Sequence, residues 1–205
     1  MQPKFIYFDL GKVIINFSVD RMLCQVGEVA GLTAEETRRV LFADGLMDRH
    51  ESGKVSCREL YEEFCGAIGR RPDYQRLLAA AADIFEMNLP VLPIVAQLQQ
   101  AGYRLGILSN TCETHWPFCY EHYRVVADGF ACYALSYEIG AMKPSGEVYR
   151  AAAELARVAP EEIFFVDDVA GHVEGARAAG FDAVQFTSAE QLARDLRCRG
   201  VRINY

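Results

Sequence analysis

Five short runs of hydrophobic residues stand out along the chain, and each is nearly continuous rather than alternating with polar residues. These runs lie at 4–9, 104–109, 131–136, 163–167 and 182–186. Continuous apolar runs of this length are typical of strands that are buried on both faces, as in a parallel sheet. The pattern therefore predicts a mostly parallel sheet of five strands.

Helical patterns separate the later strands. The predicted helices span 90–101, 145–157, 169–179 and 188–198. Gly102 and Gly180 follow two of them, where glycine commonly ends a helix, and Ser145 and Ser188 are candidate N-caps. Because strands alternate with helices, we predict a doubly wound, three-layer α/β core.

The first two strands are much farther apart in sequence than a single crossover requires. The intervening segment has helical patterns at 19–30, 33–43, 56–68 and 73–86. We predict that 17–87 forms an inserted cap domain of four helices, and that 1–16 and 88–205 form the core domain. An insertion that leaves the sheet after its first strand would lie over the carboxyl ends of the strands, where open α/β sheets bind ligands.

Composition and charge narrow the class of protein. Hydrophobic residues make up 51% of the 205 positions and charged residues 24%, which suits a globular chain with a sizeable core. The net charge of −7 argues against a nucleic-acid partner, because phosphate backbones select basic surfaces. A small phosphorylated metabolite needs only one local cation and is still a possible partner.

Cysteine usage, the first residues and the length of the apolar windows give an expectation of the cellular compartment. The seven cysteines form no C-x-x-C pair, which favours free thiols in a reducing compartment. The first residues lack the pattern of a signal peptide, and no apolar window is long enough for a membrane span. We therefore expect a cytoplasmic protein without a membrane partner, and leave the oligomeric state open.

Polar side chains follow four of the predicted strands. Asp9 ends the first, Ser109 and Asn110 end the second, Lys143 comes after the third, and Asp167 and Asp168 end the fourth. All of them would meet at one edge of a parallel sheet. Converging carboxylates repel one another unless a cation lies between them. Mg²⁺ prefers such oxygen ligands and lysine binds phosphate, so this edge is a candidate site for Mg²⁺ and a phosphoryl group.

Four sequence motifs carry a family resemblance. The segments "FDLGKV", "LSNT", "MKP" and "FFVDDVAGHVEGA" resemble, in order and spacing, the four motifs of the haloacid dehalogenase-like (HAD) hydrolases. The resemblance covers the whole chain, and its closest branch is the one that includes α-D-glucose-1-phosphate phosphatases. It implies a Rossmann-like HAD core with a parallel five-stranded sheet and an inserted helical cap.

The resemblance also implies roles for the residues at the strand ends. Asp9 would be the nucleophile that forms an aspartyl-phosphate intermediate, and Ser109 and Asn110 would bind the phosphoryl oxygens. Lys143 would neutralise the charge on both groups. Asp9, the backbone carbonyl of Gly11 and Asp168 would bind Mg²⁺. Asp167 would contribute to the metal site directly or through water, and it is also a candidate N-cap for the next helix.

One acid of the usual pattern is absent. Phosphatases of this family commonly carry a second aspartate two residues after the nucleophile, which protonates the leaving oxygen and later activates water. Here that position is Gly11, and His172 stands where motif four often has Asn or Asp. A positioned acid or base typically contributes about 10²–10⁴-fold to the rate. On the sequence alone we expect turnover to favour substrates with good leaving groups.

Several side chains are candidates to act near the substrate instead. Lys12 is adjacent to Gly11, the position without the second acid. His50 and Glu51 lie in the predicted cap, and from there their side chains could contact the substrate. We assign His50 a candidate substrate-binding role, although a lone histidine is more often a packing or surface residue. His115 follows the second strand and is a weaker candidate.

Three functions are consistent with these residues. The preferred one is Mg²⁺-dependent hydrolysis of a small phosphate monoester, with a hexose 1-phosphate as the first candidate substrate. The second is a catalytically impaired protein that binds a phosphorylated ligand or partner. The third, 2-haloacid dehalogenation, needs no metal, and that family carries Tyr two residues after the nucleophile rather than the Gly11 found here.

Overall fold

The computed structural model describes residues 2–205 and contains two sheets flanked by helices. In chain order the strands are β1 (Phe5–Phe8), β2 (Ile15–Phe17), β3 (Phe85–Met87), β4 (Arg104–Ser109), β5 (Cys132–Leu135), β6 (Ile163–Asp167) and β7 (Asp182–Gln185). The α-helices are α1 (Val19–Ala30), α2 (Ala34–Phe42), α3 (Leu46–Glu51), α4 (Cys57–Ile68), α5 (Tyr74–Ala82), α6 (Leu92–Gln100), α7 (His115–His122), α8 (Arg124–Asp128), α9 (Ser136–Ile139), α10 (Gly146–Ala156), α11 (Ala170–Ala178) and α12 (Ala189–Cys198).

The main sheet confirms the predicted strands. Its order is β5-β4-β1-β6-β7, and every neighbouring pair is parallel. β1 lies at the centre, where Phe5 is opposite both Arg104 and Ile163, and all four of its residues are buried. Burial on both faces explains why the three inner strands, β4, β1 and β6, are nearly continuous hydrophobic runs.

Helices cover both faces of this sheet and give the predicted three layers. On one face, Ile6 and Phe8 belong to a core that includes buried residues of α6, α7, α8 and α12. On the other face, Phe5 and Tyr7 pack with buried residues of α10 and α11. The alternate side chains of β1 therefore enter two separate cores, one on each side of the sheet.

Capping signals in the sequence correctly located several helix starts. Thr33 Oγ1 accepts a hydrogen bond from Glu36 N at 3.2 Å, and the Glu36 carboxylate accepts one from Thr33 N at 2.8 Å. Ser56 and Glu59 form the same reciprocal pair before α4. These boxes satisfy amides that have no partner inside the first turn of a helix.

The segment 17–87, predicted as the cap, differs from the prediction in two ways. It contains five α-helices rather than four, because α3 has only six residues and is too short to show a helical period. The predicted helix 73–86 ends at Ala82, since Phe85 pairs instead with Phe17 in the antiparallel β2-β3 ribbon. We call α1–α5 the helical insertion.

The helical insertion has a hydrophobic core of its own. Residues from all five helices contribute to it, among them Met22, Leu41, Met47, Phe64 and Leu77. The chain enters the insertion through β2 and leaves it through β3. The division into a cap domain, 17–87, and a core domain, 1–16 and 88–205, stays a prediction. Within residues 2–205, none of the helices is both long enough and apolar enough to cross a lipid bilayer.

Candidate active site

Parallel pairing brings the predicted site residues to one edge of the sheet. Asp9 directly follows β1, while Ser109 ends β4 and Asp167 ends β6, the two strands beside β1. Asp9 N donates to Val166 O at 2.9 Å, which extends the ladder to the end of β6. The carboxyl ends of three adjacent strands therefore present their polar groups together.

Lys143 is the buried cation at this edge. Its Nζ lies 2.9 Å from Asp9 Oδ1 and 2.6 Å from Asp167 Oδ2, and it also donates to Leu108 O at 3.1 Å. The residue is only 3% exposed. Burial alone would lower its pKa, but Asp9 and Asp167 outweigh that effect and raise it, so Lys143 carries its charge.

The charged form of the Asp9 carboxyl is disfavoured by its surroundings. Burial raises its pKa to about 6, and Asp167 and Asp168 act in the same direction, whereas Lys143 opposes them. Both contacts to protein groups fall on Oδ1, which faces Lys143 and accepts a hydrogen bond from Leu10 N at 2.7 Å. Oδ2 is left for other contacts. A second cation near Asp9 would therefore favour the ionised form that a nucleophile requires.

The donor set fits a hard divalent cation such as Mg²⁺. Asp9, Asp167 and Asp168 each place one carboxylate oxygen within 4.8 Å of the others. Burial, reinforced by Asp167, raises the pKa of Asp168, as expected for carboxyl groups that crowd together. Oxygen-only donors of this kind suit Mg²⁺ rather than a thiolate- or imidazole-binding metal.

Asp167 is already engaged by protein groups. Its Oδ2 contacts Lys143, and its Oδ1 accepts from Val169 N at 2.8 Å and lies 3.1 Å from His172 Nδ1. Burial would raise its pKa, but His172 and Lys143 outweigh burial and lower it. Asp168 is only partly buried and is freer to bind a metal. A direct metal contact from Asp167 stays a prediction, and its present contacts support Lys143 and the turn before α11.

Asn110 holds the loop that carries Lys143. Its Nδ2 donates to Lys143 O at 3.1 Å, and its Oδ1 accepts from Lys143 N at 2.8 Å. Ser109 is 3% exposed, and its Oγ donates to Asn110 O at 3.2 Å. The side chain of Asn110 therefore positions Lys143, and its substrate-binding role stays a prediction for its backbone.

Two neighbouring cavities, which share several lining residues, lie between this edge and the helical insertion. The first, the carboxylate cleft, has a volume of about 250 Å³ and is lined by Asp9, Gly11, Lys143, Asp168, His172 and neighbouring residues. The second, the apolar chamber, has about 130 Å³ and is lined mainly by apolar side chains, among them Phe17, Met22, Phe42, Met47, Ile84 and Phe85. Gly11, Phe17, Glu51 and Asn110 line both cavities.

His50 does not reach either of these cavities. It is 2% exposed, its Nδ1 lies 2.8 Å from Val55 O, and its Nε2 lies 3.1 Å from Thr114 Oγ1. The ring packs where the insertion meets the loop after β4. This placement disagrees with the predicted substrate-binding role and agrees with the packing role. The next residue, Glu51, lines both cavities instead.

The turn at Gly53 lets the helical insertion approach helix α9 closely. Gly53 has a φ of +70°, and a Cβ there would lie 2.1 Å from Tyr137 O. Gly69 has a similar φ of +66°, yet a Cβ at that position meets nothing within 4 Å. The two glycines thus share the backbone conformation but differ in packing.

We expect Gly53→Ala to destabilise the protein more than Gly69→Ala. Both variants incur a left-handed backbone cost of about 1–2 kcal/mol, and Gly53→Ala adds an overpacking cost of about 1–3 kcal/mol. The measurement is the free energy of unfolding in urea. Equal losses in the two variants would show that the contact between Gly53 and Tyr137 is not close in solution.

His115 makes stability dependent on pH. Burial lowers its pKa to about 4, and Glu51 partly opposes this effect. The unfolded chain therefore binds a proton more readily than the folded one between the unfolded pKa and about pH 4, and stability is lost as the pH falls through that window. As a whole residue, His115 is half-buried.

We expect the wild type to lose about 1–2 kcal/mol of stability through His115 between pH 7 and pH 5. His115→Asn should remove this part of the pH dependence. His122→Asn, on the exposed side of the same helix, should retain it. Urea unfolding at the two pH values measures the difference, and identical slopes for wild type and His115→Asn would contradict the expectation.

Comparisons with known proteins agree with this geometry. Residues 6–180 match the family model of the haloacid dehalogenase-like hydrolases. A D-ribitol-5-phosphate phosphatase of Bacteroides thetaiotaomicron is 27% identical over 190 residues, which cover 89% of this chain and 91% of that protein. A phosphatase of Mycobacterium tuberculosis is 25% identical over 216 residues, covering 98% and 96%.

Solved structures show the same fold. A HAD family enzyme of Bacteroides thetaiotaomicron, in complex with magnesium and inorganic phosphate, superposes with a TM-score of 0.80 at 25% identity, covering 91% of this chain and 95% of that one. An L-2-haloacid dehalogenase of Xanthobacter autotrophicus superposes with a TM-score of 0.65 at 22% identity, covering 96% and 83%. The predicted link to the α-D-glucose-1-phosphate phosphatase branch stays a prediction.

Proposed function

We propose that this chain, which belongs to the haloacid dehalogenase-like hydrolase family, hydrolyses small phosphate monoesters with the help of Mg²⁺. One observation carries the proposal. Asp9 is a buried carboxylate whose charge is held by Lys143 at 2.9 Å and which opens onto a cleft lined by a further aspartate, Asp168. A buried nucleophile beside a fixed cation is what transfer of a dianionic phosphoryl group needs.

The proposed reaction begins when the free oxygen of Asp9 attacks phosphorus. The bond between phosphorus and the leaving oxygen breaks, and Asp9 becomes an aspartyl phosphate. Lys143, Ser109 and the backbone of Asn110 would bind the phosphoryl oxygens. Water then attacks phosphorus, releases inorganic phosphate and regenerates Asp9. Such transfers depend mainly on positioning and on stabilising charge, both of which a fixed set of groups provides.

Mg²⁺ would be held by Asp9, Asp168 and the backbone carbonyl of Gly11, where it would neutralise charge on the phosphoryl group. The HAD family enzyme of Bacteroides thetaiotaomicron in complex with magnesium and inorganic phosphate supports magnesium as the ion. Asp167 would support the site through Lys143 and His172.

The apolar chamber would receive the leaving group. It adjoins the carboxylate cleft and combines apolar walls with a few polar groups, among them Glu51 and Asn110. A small volume of about 130 Å³ favours a compact leaving group. A sugar phosphate such as a hexose 1-phosphate is our first candidate, and the relative named for ribitol 5-phosphate makes polyol phosphates a second.

A panel of phosphate esters tests the proposed function. It should include hexose 1-phosphates, ribitol 5-phosphate, and aryl and acyl phosphates, each with Mg²⁺ and with EDTA. We expect phosphate release that needs Mg²⁺ and vanishes with EDTA. Halide release from 2-haloacids in the presence of EDTA would instead indicate a dehalogenase.

The second candidate function is phosphoryl binding without turnover. The presence of Gly11 in place of the usual second aspartate favours binding without turnover. In the family that aspartate acts as the general acid in the first step and as the general base in the second. The two candidates differ in one measurement. A binding protein would take up beryllofluoride with Mg²⁺, as a mimic of the aspartyl phosphate, yet release no phosphate from any ester at high protein concentration.

A further inference from the structure

The position of the missing acid is closed by packing. A Cβ at Gly11 would lie 2.8 Å from Cε1 of the Phe17 ring. That ring is held in place by Lys12, whose Nζ lies 4.5 Å from its centroid, and by Phe85 in the β2-β3 ribbon. A side chain at position 11 is therefore incompatible with the present position of the Phe17 ring.

Glu51 is a carboxylate that enters the carboxylate cleft from the opposite side. It is the last residue of α3, and it lines both the cleft that contains Asp9 and the apolar chamber. Of the three carboxylates lining the cleft, Asp9 and Asp168 are assigned to the nucleophile and the metal, which leaves Glu51. A group at the junction of the two cavities would stand beside the bond that joins phosphorus to the leaving oxygen.

The backbone of Glu51 is fixed while its side chain is not engaged. Ser136 Oγ lies 2.5 Å from Glu51 O and accepts a hydrogen bond from Thr111 N, which ties the end of α3 to the loops after β4 and β5. Within residues 2–205, no protein group forms a hydrogen bond or ion pair with the Glu51 carboxylate. The carboxyl group is therefore available to a ligand.

The surroundings of Glu51 favour its protonated form. Burial raises the pKa of this carboxyl, and Asp48 adds to the effect, whereas His115 and His50 oppose it. The other charged groups that line the cleft are Asp9, Asp168, Lys12 and Lys143, and the imidazole of His172 lines it as well. A glutamic acid that retains its proton closer to neutrality is better suited to donate it than an exposed one.

We propose that Glu51 is the general acid and base that replaces the aspartate absent at position 11, an inference that rests on the proposed phosphatase function. In the first step Asp9 attacks phosphorus, the bond to the leaving oxygen breaks, and the Glu51 proton moves to that oxygen to release an alcohol. In the second step the Glu51 carboxylate takes a proton from water as its oxygen attacks phosphorus. Cleavage of the aspartyl phosphate then regenerates Asp9 and protonated Glu51.

This role reverses the expectation drawn from the sequence alone. If Glu51 protonates the leaving oxygen, the wild type should depend only weakly on the pKa of the leaving group. Glu51→Gln should lower kcat/KM for alkyl and sugar phosphates by about 10²–10⁴-fold, and should lower it much less for an aryl phosphate with an acidic phenol. In Glu51→Gln, kcat/KM should therefore depend steeply on the pKa of the leaving group.

The second step provides a readout that does not depend on steady-state activity. Because Glu51→Gln also lacks the base, an activated aryl phosphate should give a burst of one equivalent of phenolate, followed by slow turnover. The phosphorylated protein should accumulate, and mass spectrometry should detect it as a gain of one phosphoryl group. The burst also shows that the variant is folded. Glu28→Gln, the same substitution at an exposed position of α1 in the helical insertion, is the matched control and should behave as the wild type.

Two results would overturn the role of Glu51 without affecting the proposed function. One is a steep leaving-group dependence already present in the wild type. The other is Asp9-dependent turnover in Glu51→Gln with the wild-type slope and no burst, which would leave the proposed function intact. A wild type that releases no phosphate from any ester would overturn both the proposed function and the role of Glu51.

Discussion

Asp9→Asn is expected to reduce phosphate release by roughly 10⁴-fold or more, because it removes the atom that attacks phosphorus. An amide oxygen is a poor nucleophile, and an uncharged side chain is also a weaker ligand for Mg²⁺. The measurement is kcat/KM for the best ester of the panel, with wild type and variant at matched Mg²⁺. Asp20→Asn, on the exposed surface of α1, serves as the control and should retain full activity.

The same substitution should not lower stability. Burial raises the pKa of Asp9 above its ordinary value, which means that its charged form is disfavoured in the folded, metal-free protein. A neutral amide of the same shape removes this cost, while Lys143 keeps Asp167 as its partner. Thermal unfolding without metal should therefore give a Tm equal to or above that of the wild type. A variant that is both inactive and unstable would point to misfolding rather than to a lost nucleophile.

Lys143→Met is expected to lower the free energy of unfolding by about 3–5 kcal/mol, because it leaves two buried carboxylates without their cation. Lys143 Nζ lies within 3 Å of both Asp9 and Asp167, and the side chain of Asp167 has no exposed surface. Methionine keeps the length and apolar stem of lysine, so the loss should be mainly electrostatic. The deficit should shrink as the pH falls and the carboxylates become protonated.

Two matched variants separate this effect from a general loss of charge. Lys4→Met removes an exposed partner of Glu162 and should cost at most about 1 kcal/mol. The double variant Lys143→Met/Asp167→Asn removes one of the unpaired charges and should recover part of the stability that Lys143→Met loses. If Lys143→Met unfolds at the same urea concentration as Lys4→Met, the buried ion pairs are not formed in solution.

The core of the fold follows from signals that are local in the sequence. The three inner strands of the parallel sheet, β4, β1 and β6, are buried almost throughout, so runs of hydrophobic residues mark 104–109 and 163–167. Capping pairs such as Thr33 with Glu36 mark helix starts because both partners lie within one turn. Polar residues that directly follow such strands then predict the candidate site, since parallel strands end at a common edge.

Features that depend on contacts between distant segments were missed. The β2-β3 ribbon pairs Phe17 with Phe85, and each strand has only three residues, so neither carries a strand pattern of its own. Helix α3 has only six residues and likewise shows no helical period in the sequence. This error changed the candidate site, because the final turn of α3 decides that Glu51 enters the cleft and His50 packs away from it.

The ion pairs and hydrogen bonds around Lys143 also cannot be predicted from the sequence. The sequence placed Lys143 near Asp9, but only the structure pairs it with Asp167 and fixes its backbone through Asn110. The closure of position 11 by the Phe17 ring likewise depends on packing between residues of a turn and of a ribbon. Side-chain direction, which sequence spacing does not determine, decides each of these contacts.

The most direct test of the central claim is to identify the residue that becomes phosphorylated. The protein is mixed with an activated acyl or aryl phosphate and Mg²⁺, quenched in acid within one turnover, reduced with borohydride and sequenced by tandem mass spectrometry. We predict conversion of Asp9, and of no other acidic residue, to homoserine, with no conversion in Asp9→Asn or in EDTA. Phosphate release by the wild type with Asp9 unmodified at every quench time would contradict capture of the phosphoryl group by Asp9.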